Sequence, residues 1–170
     1  TYFTVPQSEV GRLTTNYGVN EMLPVPLPID PAASSIYLDK PSVPSGGGGL
    51  VSSARDYDRF LRMLLGYGKI DGRRVMGELA VRVGTSNLLP KSVDTSGSWI
   101  AGEGHGAGGR SAGTSFGWGG AAGTLANVDF GLNMRVGLFT QYMPAEAYSI
   151  RADFMAAVEK DLIAMRDGAA

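Results

Sequence analysis

The stretch that decides the fold is Gly113-Thr-Ser-Phe-Gly-Trp-Gly-Gly-Ala-Ala-Gly-Thr124, in which aromatic and β-forming residues are interspersed with glycine. An apolar run then continues without a charge until Asp129. Glycine weakens a strand, so repeated glycines there usually indicate that something approaches the backbone closely. A substrate lying along the strand could do so, and backbone N–H groups could bind a developing oxyanion. A glycine-rich hairpin without chemistry fits the pattern equally well, and both interpretations stay open.

The residues that follow predict a small sheet closed by a helix. Residues 113–128 and 134–142 alternate as strands do, with a turn over residues 129–133 between them. A helix from about Glu146 to Met165 would carry Ile150, Phe154, Ala157, Val158, Leu162 and Met165 on one face. We therefore expect an α/β (α+β) fold, an antiparallel sheet with the terminal helix on one face. Two strands and one helix bury little apolar surface, so other strands should lie beside them.

A second helix is predicted further upstream. Ser53 can cap a helix that runs to about Leu65, and Gly66 is placed to end it. Its apolar residues recur with helical spacing at Tyr57, Phe60, Leu61, Leu64 and Leu65. A turn at Asp71-Gly72 and a short helix from Glu78 to about Val83 should follow.

Residues 1–49 hold seven prolines and read as extended and loop-rich. Pro24-Val-Pro-Leu-Pro28 excludes a helix, because each proline removes a donor and restricts the residue before it. Such a long segment without regular structure is uncommon in a compact domain, so we expect it to pack across another part of a larger protein. The run Gly46–Gly49 lacks the Lys-Ser/Thr of a phosphate-binding loop.

The composition excludes several function classes. The chain has 170 residues, a net charge of −1, no cysteine and one histidine. This charge gives no basis for binding nucleic acid or an anionic membrane, and no apolar run reaches the length of a membrane span. His105 alone offers no metal site, and no pattern indicates a cofactor. The glycines on either side of His105 indicate that it lies in an exposed loop, and a position in the wall of a pocket is the alternative.

An activated nucleophile is also hard to find in this sequence. No serine is followed three residues later by lysine, the arrangement of penicillin-recognising enzymes. Gly109-Arg-Ser-Ala-Gly113 fits the Gly-x-Ser-x-Gly nucleophile elbow, which needs a strand before the serine and a helix after it. Here a glycine-rich loop precedes Ser111, a strand is predicted after it, and His105 lies upstream. The sequence therefore disfavours an elbow and offers one wall of an active site without its reactive groups.

Two long motifs carry a family resemblance. The segment from Pro44 to Leu65, with Gly-Gly-Gly-Gly-Leu and Asp-Tyr-Asp-Arg-Phe, resembles the serine β-lactamase family in its class C-like esterase branch, which includes penicillin-binding-protein-like members. Gly117-Trp-Gly-Gly-Ala-Ala-Gly-Thr124 is similar to the third motif of that branch, where Trp-Gly-Gly replaces Lys-Thr-Gly. Thr140–Pro144 and Thr1–Pro6 also resemble family segments. The resemblance covers essentially the whole chain but only the C-terminal part of the family's length.

The resemblance implies a division of the chain and a set of site residues. Residues 1–112 would be an extended connection and part of the helical region, and residues 113–170 the last strands and helix of the α/β domain. Trp118, Gly119 and Gly120 match the third motif and would line the substrate site. Ala121 matches the residue whose N–H completes the oxyanion hole. A tryptophan in place of the family's lysine removes a cation, which favours esters over β-lactams.

The function expected from this resemblance is that of a serine hydrolase, an esterase acting through an acyl-enzyme on a small-molecule ester or acyl substrate. Its Ser-x-x-Lys and tyrosine motifs would lie upstream, so the chain alone is expected to be inactive. A non-catalytic binding or interaction module derived from the same fold is the alternative. The missing N-terminal part or a second copy is the expected partner, and a soluble protein of the bacterial cytoplasm or periplasm is expected.

Overall fold

The structure is a computed structural model that describes residues 1–20 and 25–168. The described residues before Ala54 form short strands and 3-10 turns, and the longer elements follow. The helices and strands, in chain order, are β1 Asn16–Gly18, β2 Leu27–Asp30, α1 Ala54–Leu65, β3 Lys69–Ile70, β4 Arg73–Arg74, α2 Glu78–Gly84, β5 Gly104–His105, β6 Arg110–Ala112, β7 Ser115–Gly119, β8 Leu125–Asp129, β9 Met134–Leu138, β10 Tyr142–Met143 and α3 Ile150–Gly168.

The main sheet has five antiparallel strands in the order β5-β6-β7-β8-β9. In register, Trp118 lies opposite Ala126, and Ala126 opposite Gly137. A smaller sheet has the order β10-β1-β2, in which β1 runs parallel to β10 and antiparallel to β2. The mixed α/β fold with antiparallel strands and a C-terminal helix is therefore confirmed.

The prediction of one strand over residues 113–128 is wrong. The structure splits this segment into β7 and β8, which form a hairpin around residues 120–124. Gly120 N–H donates to the carbonyl oxygen of Thr124 at 2.9 Å, and Gly123 has a φ of 75°, which turns the chain back. β8 pairs with β9, as expected of the strands on either side of the turn 129–133. The segment 134–142 also divides, because β10 joins the smaller sheet.

The core lies between one face of the sheet and the helices α1 and α2. Its buried side chains are those of Leu61, Met63, Leu64, Val81, Phe116, Ala126 and Val128. The predicted cap of α1 is confirmed, since the Ser53 side chain accepts the Asp56 N–H at 3.1 Å, and Gly66 ends the helix. The predicted apolar stripe is wrong at Phe60, which stays 45 % exposed and packs edge-on against Tyr57.

Helix α3 starts at Ile150 rather than near Glu146, because residues 145–147 form a 3-10 turn and Tyr148 is extended. Phe154, Val158 and Leu162 are half-buried and recur every four residues, so one face of α3 is turned inward. Ile150, Ala157 and Met165, predicted on the same face, are exposed.

Three further predictions concern the proline-rich segment, the division of the chain at residue 112 and membrane helices. Pro24 lies outside the described residues, while Leu27 and Pro28 belong to β2 and are extended as expected. Strand β6 precedes residue 113 and pairs with both β5 and β7, so the proposed division at residue 112 crosses the sheet and stays a prediction. Within the described residues, no helix has the length and apolar character that a membrane crossing requires.

Candidate active-site cleft

A cleft of about 840 Å³ lies along β7 and the turn that follows it. All four residues singled out in the sequence, Trp118, Gly119, Gly120 and Ala121, line it together. The rest of its wall comes from distant parts of the chain, among them Trp99, Glu103, Arg110, Asn127, Pro144, Glu146 and Arg151. The strand, the preceding loop and the start of α3 thus converge on one concave surface, the usual form of a small-molecule site.

Aromatic rings cluster around Trp118 at this cleft. The Trp99 ring stands perpendicular to it with centroids 5.3 Å apart, and the His105 ring lies edge-on at 5.6 Å. His105 is half-buried on β5, so of the two interpretations given for it, contact with the pocket wall is the one the structure supports. Trp99 was not singled out from the sequence; a tryptophan in a polar, glycine-rich segment was the signal available.

Both arginines of the cleft are already engaged. Arg110 lies 3.2 Å from the Glu103 carboxylate, and its guanidinium carbon sits 4.9 Å from the centre of the Trp99 ring. Arg151, at the start of α3, donates to two backbone carbonyls, those of Gly120 at 2.8 Å and Thr124 at 3.1 Å. Each guanidinium therefore already has hydrogen-bond or ion-pair partners within the protein.

The turn after β7 leaves the backbone N–H groups of residues 121–124 without an acceptor among the described residues, and Ala121 is the one of these four that lines the cleft. Ala121 is exposed, and its N–H donates to no acceptor among the described residues. The adjacent Gly120 is closely packed, since a Cβ there would lie 2.1 Å from Thr124 Oγ1. A backbone N–H that is exposed in a cleft and lacks a partner can donate to an oxyanion.

Arg151 is the residue of this site that sequence reasoning missed. The sequence carried no local signal for it, because the helix was predicted to begin near Glu146, which placed Arg151 beyond its first turn. Its side chain runs against β7, where a Cβ on Gly119 would come within 3.0 Å of Arg151 Nη1. Its Nε is buried and has no hydrogen-bond partner in the described part of the chain.

The structure places Ser111 in a setting unlike a nucleophile elbow. It lies within β6, paired with Gly104 on one side and Phe116 on the other. Gly113, with a φ of 58°, then turns the chain into β7, where an elbow requires a helix. Ser111 faces a second cleft of about 580 Å³, where Arg82 lies 3.9 Å over the Tyr67 ring.

Asp129, at the end of β8, organises the opposite end of the sheet. It accepts from the hydroxyls of Thr114 and Ser115 at 2.8 and 2.7 Å, and from the N–H groups of Gly131 and Leu132. Partial burial opposes ionisation, but these four hydrogen bonds outweigh it and hold the pKa of Asp129 below its ordinary value. In the described residues, no cluster of His, Cys, Asp or Glu could hold a metal ion.

The family profile described as Beta-lactamase matches residues 1–160 of this sequence. The chain belongs to the β-lactamase family. Two curated relatives are 47 % identical over 53 residues, Protein Rv1367c of Mycobacterium tuberculosis strain H37Rv and Uncharacterized protein MT1414 of strain CDC 1551. The matched segment is 31 % of this chain and 13 % of each relative.

Two solved structures share the β-lactamase-like fold. One is a LovD6 mutant of simvastatin synthase from Aspergillus terreus, with a TM-score of 0.67, 17 % identity and 81 % of this chain covered. The other is EstCE1, a hydrolase with promiscuous acyltransferase activity, with a TM-score of 0.63, 22 % identity and 83 % of this chain covered. The matched regions are 40 % and 41 % of those two chains, so this β-lactamase-family chain spans less than half of either. At these identities the likeness establishes the fold.

Proposed function

We propose that this chain forms one wall of the acyl-binding cleft of a serine hydrolase that acts on esters. Ala121 would donate one hydrogen bond of the oxyanion hole, and Trp118, Gly119 and Gly120 would line the substrate site. The observation that supports this most directly is the exposed Ala121 N–H, which has no acceptor among the described residues and lies in the cleft of about 840 Å³. Membership of the β-lactamase family supports it independently.

The proposed reaction proceeds through an acyl-enzyme. A serine outside residues 1–170, activated by a lysine and a tyrosine, would attack the ester carbonyl and form a tetrahedral intermediate. The carbonyl oxygen then carries the negative charge, and the Ala121 N–H would stabilise it together with the backbone N–H of the nucleophilic serine. Collapse of the intermediate expels the alcohol, and a water molecule then hydrolyses the acyl-enzyme.

The charges of the cleft favour an ester over a β-lactam substrate. β-Lactams carry a carboxylate that a cation would bind, and Trp118 stands where the family's third motif has lysine. The two cleft arginines do not replace that lysine, because Arg110 is paired with Glu103 and Arg151 with backbone carbonyls. The Trp99 and Trp118 rings instead offer apolar surface to an acyl or alcohol group.

Steady-state kinetics of the whole protein test the proposal, with p-nitrophenyl butyrate as the ester and nitrocefin as the β-lactam. The variant Ala121→Pro removes the N–H, and Ala121→Ser, which keeps it, is the matched control. We expect the ester to be turned over far faster than nitrocefin, and kcat to fall about 10²–10³-fold in Ala121→Pro alone. Absence of ester turnover would favour the non-catalytic binding module, and full activity of Ala121→Pro would remove Ala121 from the mechanism.

A further inference from the structure

The proposed oxyanion donor shares its peptide group with a carbonyl that Arg151 holds. Arg151 Nη2 donates to the Gly120 oxygen at 2.8 Å. The peptide bond that carries this oxygen also carries the N–H of Ala121. This bond is trans, since the cis bond of the described chain lies elsewhere, between Met143 and Pro144. In a planar trans peptide the C=O and N–H point in opposite directions, so fixing one fixes the other.

We infer that Arg151 is a positioning residue that aims the Ala121 N–H, an inference that rests on the function proposed above. The same nitrogen also donates to the Thr124 oxygen at 3.1 Å, and Gly120 N–H donates to that oxygen at 2.9 Å. One guanidinium nitrogen therefore bridges the two residues that open and close the turn. A charged donor on the Gly120 oxygen also polarises the peptide group, which strengthens its N–H as a donor.

Two features of Arg151 are unfavourable for the stability of α3 and its surroundings. A cation in the first turn of α3 opposes the helix dipole. Its Nε is buried and has no partner among the described residues, which also lowers stability. By contrast, the Ser149 hydroxyl and Asp153 carboxylate, 2.6 Å apart, suit the start of the helix. The strand accommodates the guanidinium by having Gly119 beside it.

The test compares Arg151→Met and Arg151→Lys with Arg135→Met in the whole protein. Arg135 is a matched control, because it pairs with Asp58 on the surface and does not line the cleft. For p-nitrophenyl butyrate we expect Arg151→Met to lower kcat by at least about tenfold with KM little changed, less than the loss of the donor itself. Arg151→Lys, which keeps a charged donor, should recover part of kcat.

Hydrogen–deuterium exchange of the peptide spanning residues 117–125 supplies a readout that needs no activity. We expect faster exchange there in Arg151→Met and unchanged exchange in Arg135→Met. An inactive wild type would refute the proposed function, while this exchange would still decide whether Arg151 holds the turn. Unchanged exchange in Arg151→Met, or unchanged kcat in an active protein whose thermal stability alone falls, would overturn the inference.

Discussion

Arg151 passes over Gly119 so closely that a Cβ on this glycine would lie 3.0 Å from Nη1 and 3.1 Å from Cζ. Gly119, the second of the two glycines of β7, is therefore packed against a side chain of the same protein. Its neighbours have comparable reasons, since a Cβ on Gly117 would lie 2.3 Å from the Ala126 carbonyl oxygen, and one on Gly120 would meet Thr124. These glycines therefore allow the turn, the strand and Arg151 to pack closely against one another. From the sequence, the approach of a substrate was one explanation for them, but contacts within the protein already require them.

Substitution of Gly119 by alanine should displace Arg151 and weaken its hold on the turn. We expect kcat of the whole protein to fall about tenfold, equivalent to about 1.4 kcal/mol of transition-state stabilisation. Ester hydrolysis measures it, with Gly97→Ala as control, because a Cβ on Gly97 meets nothing within 4 Å. Equal activity of the two variants would show that the close contact between Gly119 and Arg151 does not affect catalysis.

The isolated 170-residue chain should hydrolyse no ester. Its Ser111 lies within β6 and lacks the elbow geometry, and no serine in the sequence precedes a lysine at the required spacing. Turnover of p-nitrophenyl butyrate by the purified chain measures this, with Ser111→Ala as control. Activity that disappears in Ser111→Ala would revive the elbow interpretation.

Acid should destabilise the protein partly through Asp129. Its folded-state pKa is lowered, so the stabilisation is fully present above the unfolded-state value of about 3.9 and is lost as pH falls through the folded value. Thermal unfolding between pH 7 and pH 2 should show a smaller loss of Tm for Asp129→Asn than for wild type. An identical pH dependence of the two proteins would contradict this account.

Alanine at Gly123 should destabilise the hairpin between β7 and β8. The φ of 75° disfavours a side chain, and a Cβ would lie 2.5 Å from Cζ of Tyr142. We expect a loss of at least about 1–3 kcal/mol in the free energy of unfolding, the strain of a non-glycine residue in this region. Chemical denaturation provides the measurement. Gly11→Ala, where the added Cβ meets nothing within 4 Å, should be close to neutral.

The isolated chain should associate with itself. Ile36, Val43 and Leu79 are each more than 70 % exposed, and the outer edge of β9 pairs with no strand among those described. Exposed apolar side chains and open edges promote association. Size-exclusion chromatography with light scattering measures it. A monodisperse monomer of 17.8 kDa with a sharp unfolding transition would instead identify the chain as self-sufficient.

Local chemistry accounts for what the sequence predicted well. The cap at Ser53, the stop at Gly66 and the turn after Asp129 each depend on residues a few positions apart, and the structure contains all three. The sequence left a glycine-rich hairpin and a single strand as open interpretations of residues 113–128, because glycines within a strand and glycines within a turn give the same pattern. Only the φ of Gly123 and the bond from Gly120 to Thr124 distinguish them.

The missed site residues have a different cause, since they reach the cleft through tertiary contacts. Arg151 lies 31 residues from Gly120 in sequence, and no local pattern links the two. Trp99 likewise reaches Trp118 from a loop with no regular periodicity. The family motif led to Trp118, Gly119, Gly120 and Ala121, which the structure places together in the cleft, while their roles stay proposals.

The most direct test of the central proposal is the mass of the whole protein after incubation with p-nitrophenyl butyrate, followed by peptide mapping of the modified residue. We expect a butyryl group on a serine that is followed three residues later by lysine and lies outside residues 1–170. Its amount should fall in Ala121→Pro but not in Ala121→Ser. No adduct under conditions where the ester is consumed, or an adduct on Ser111, would contradict the account.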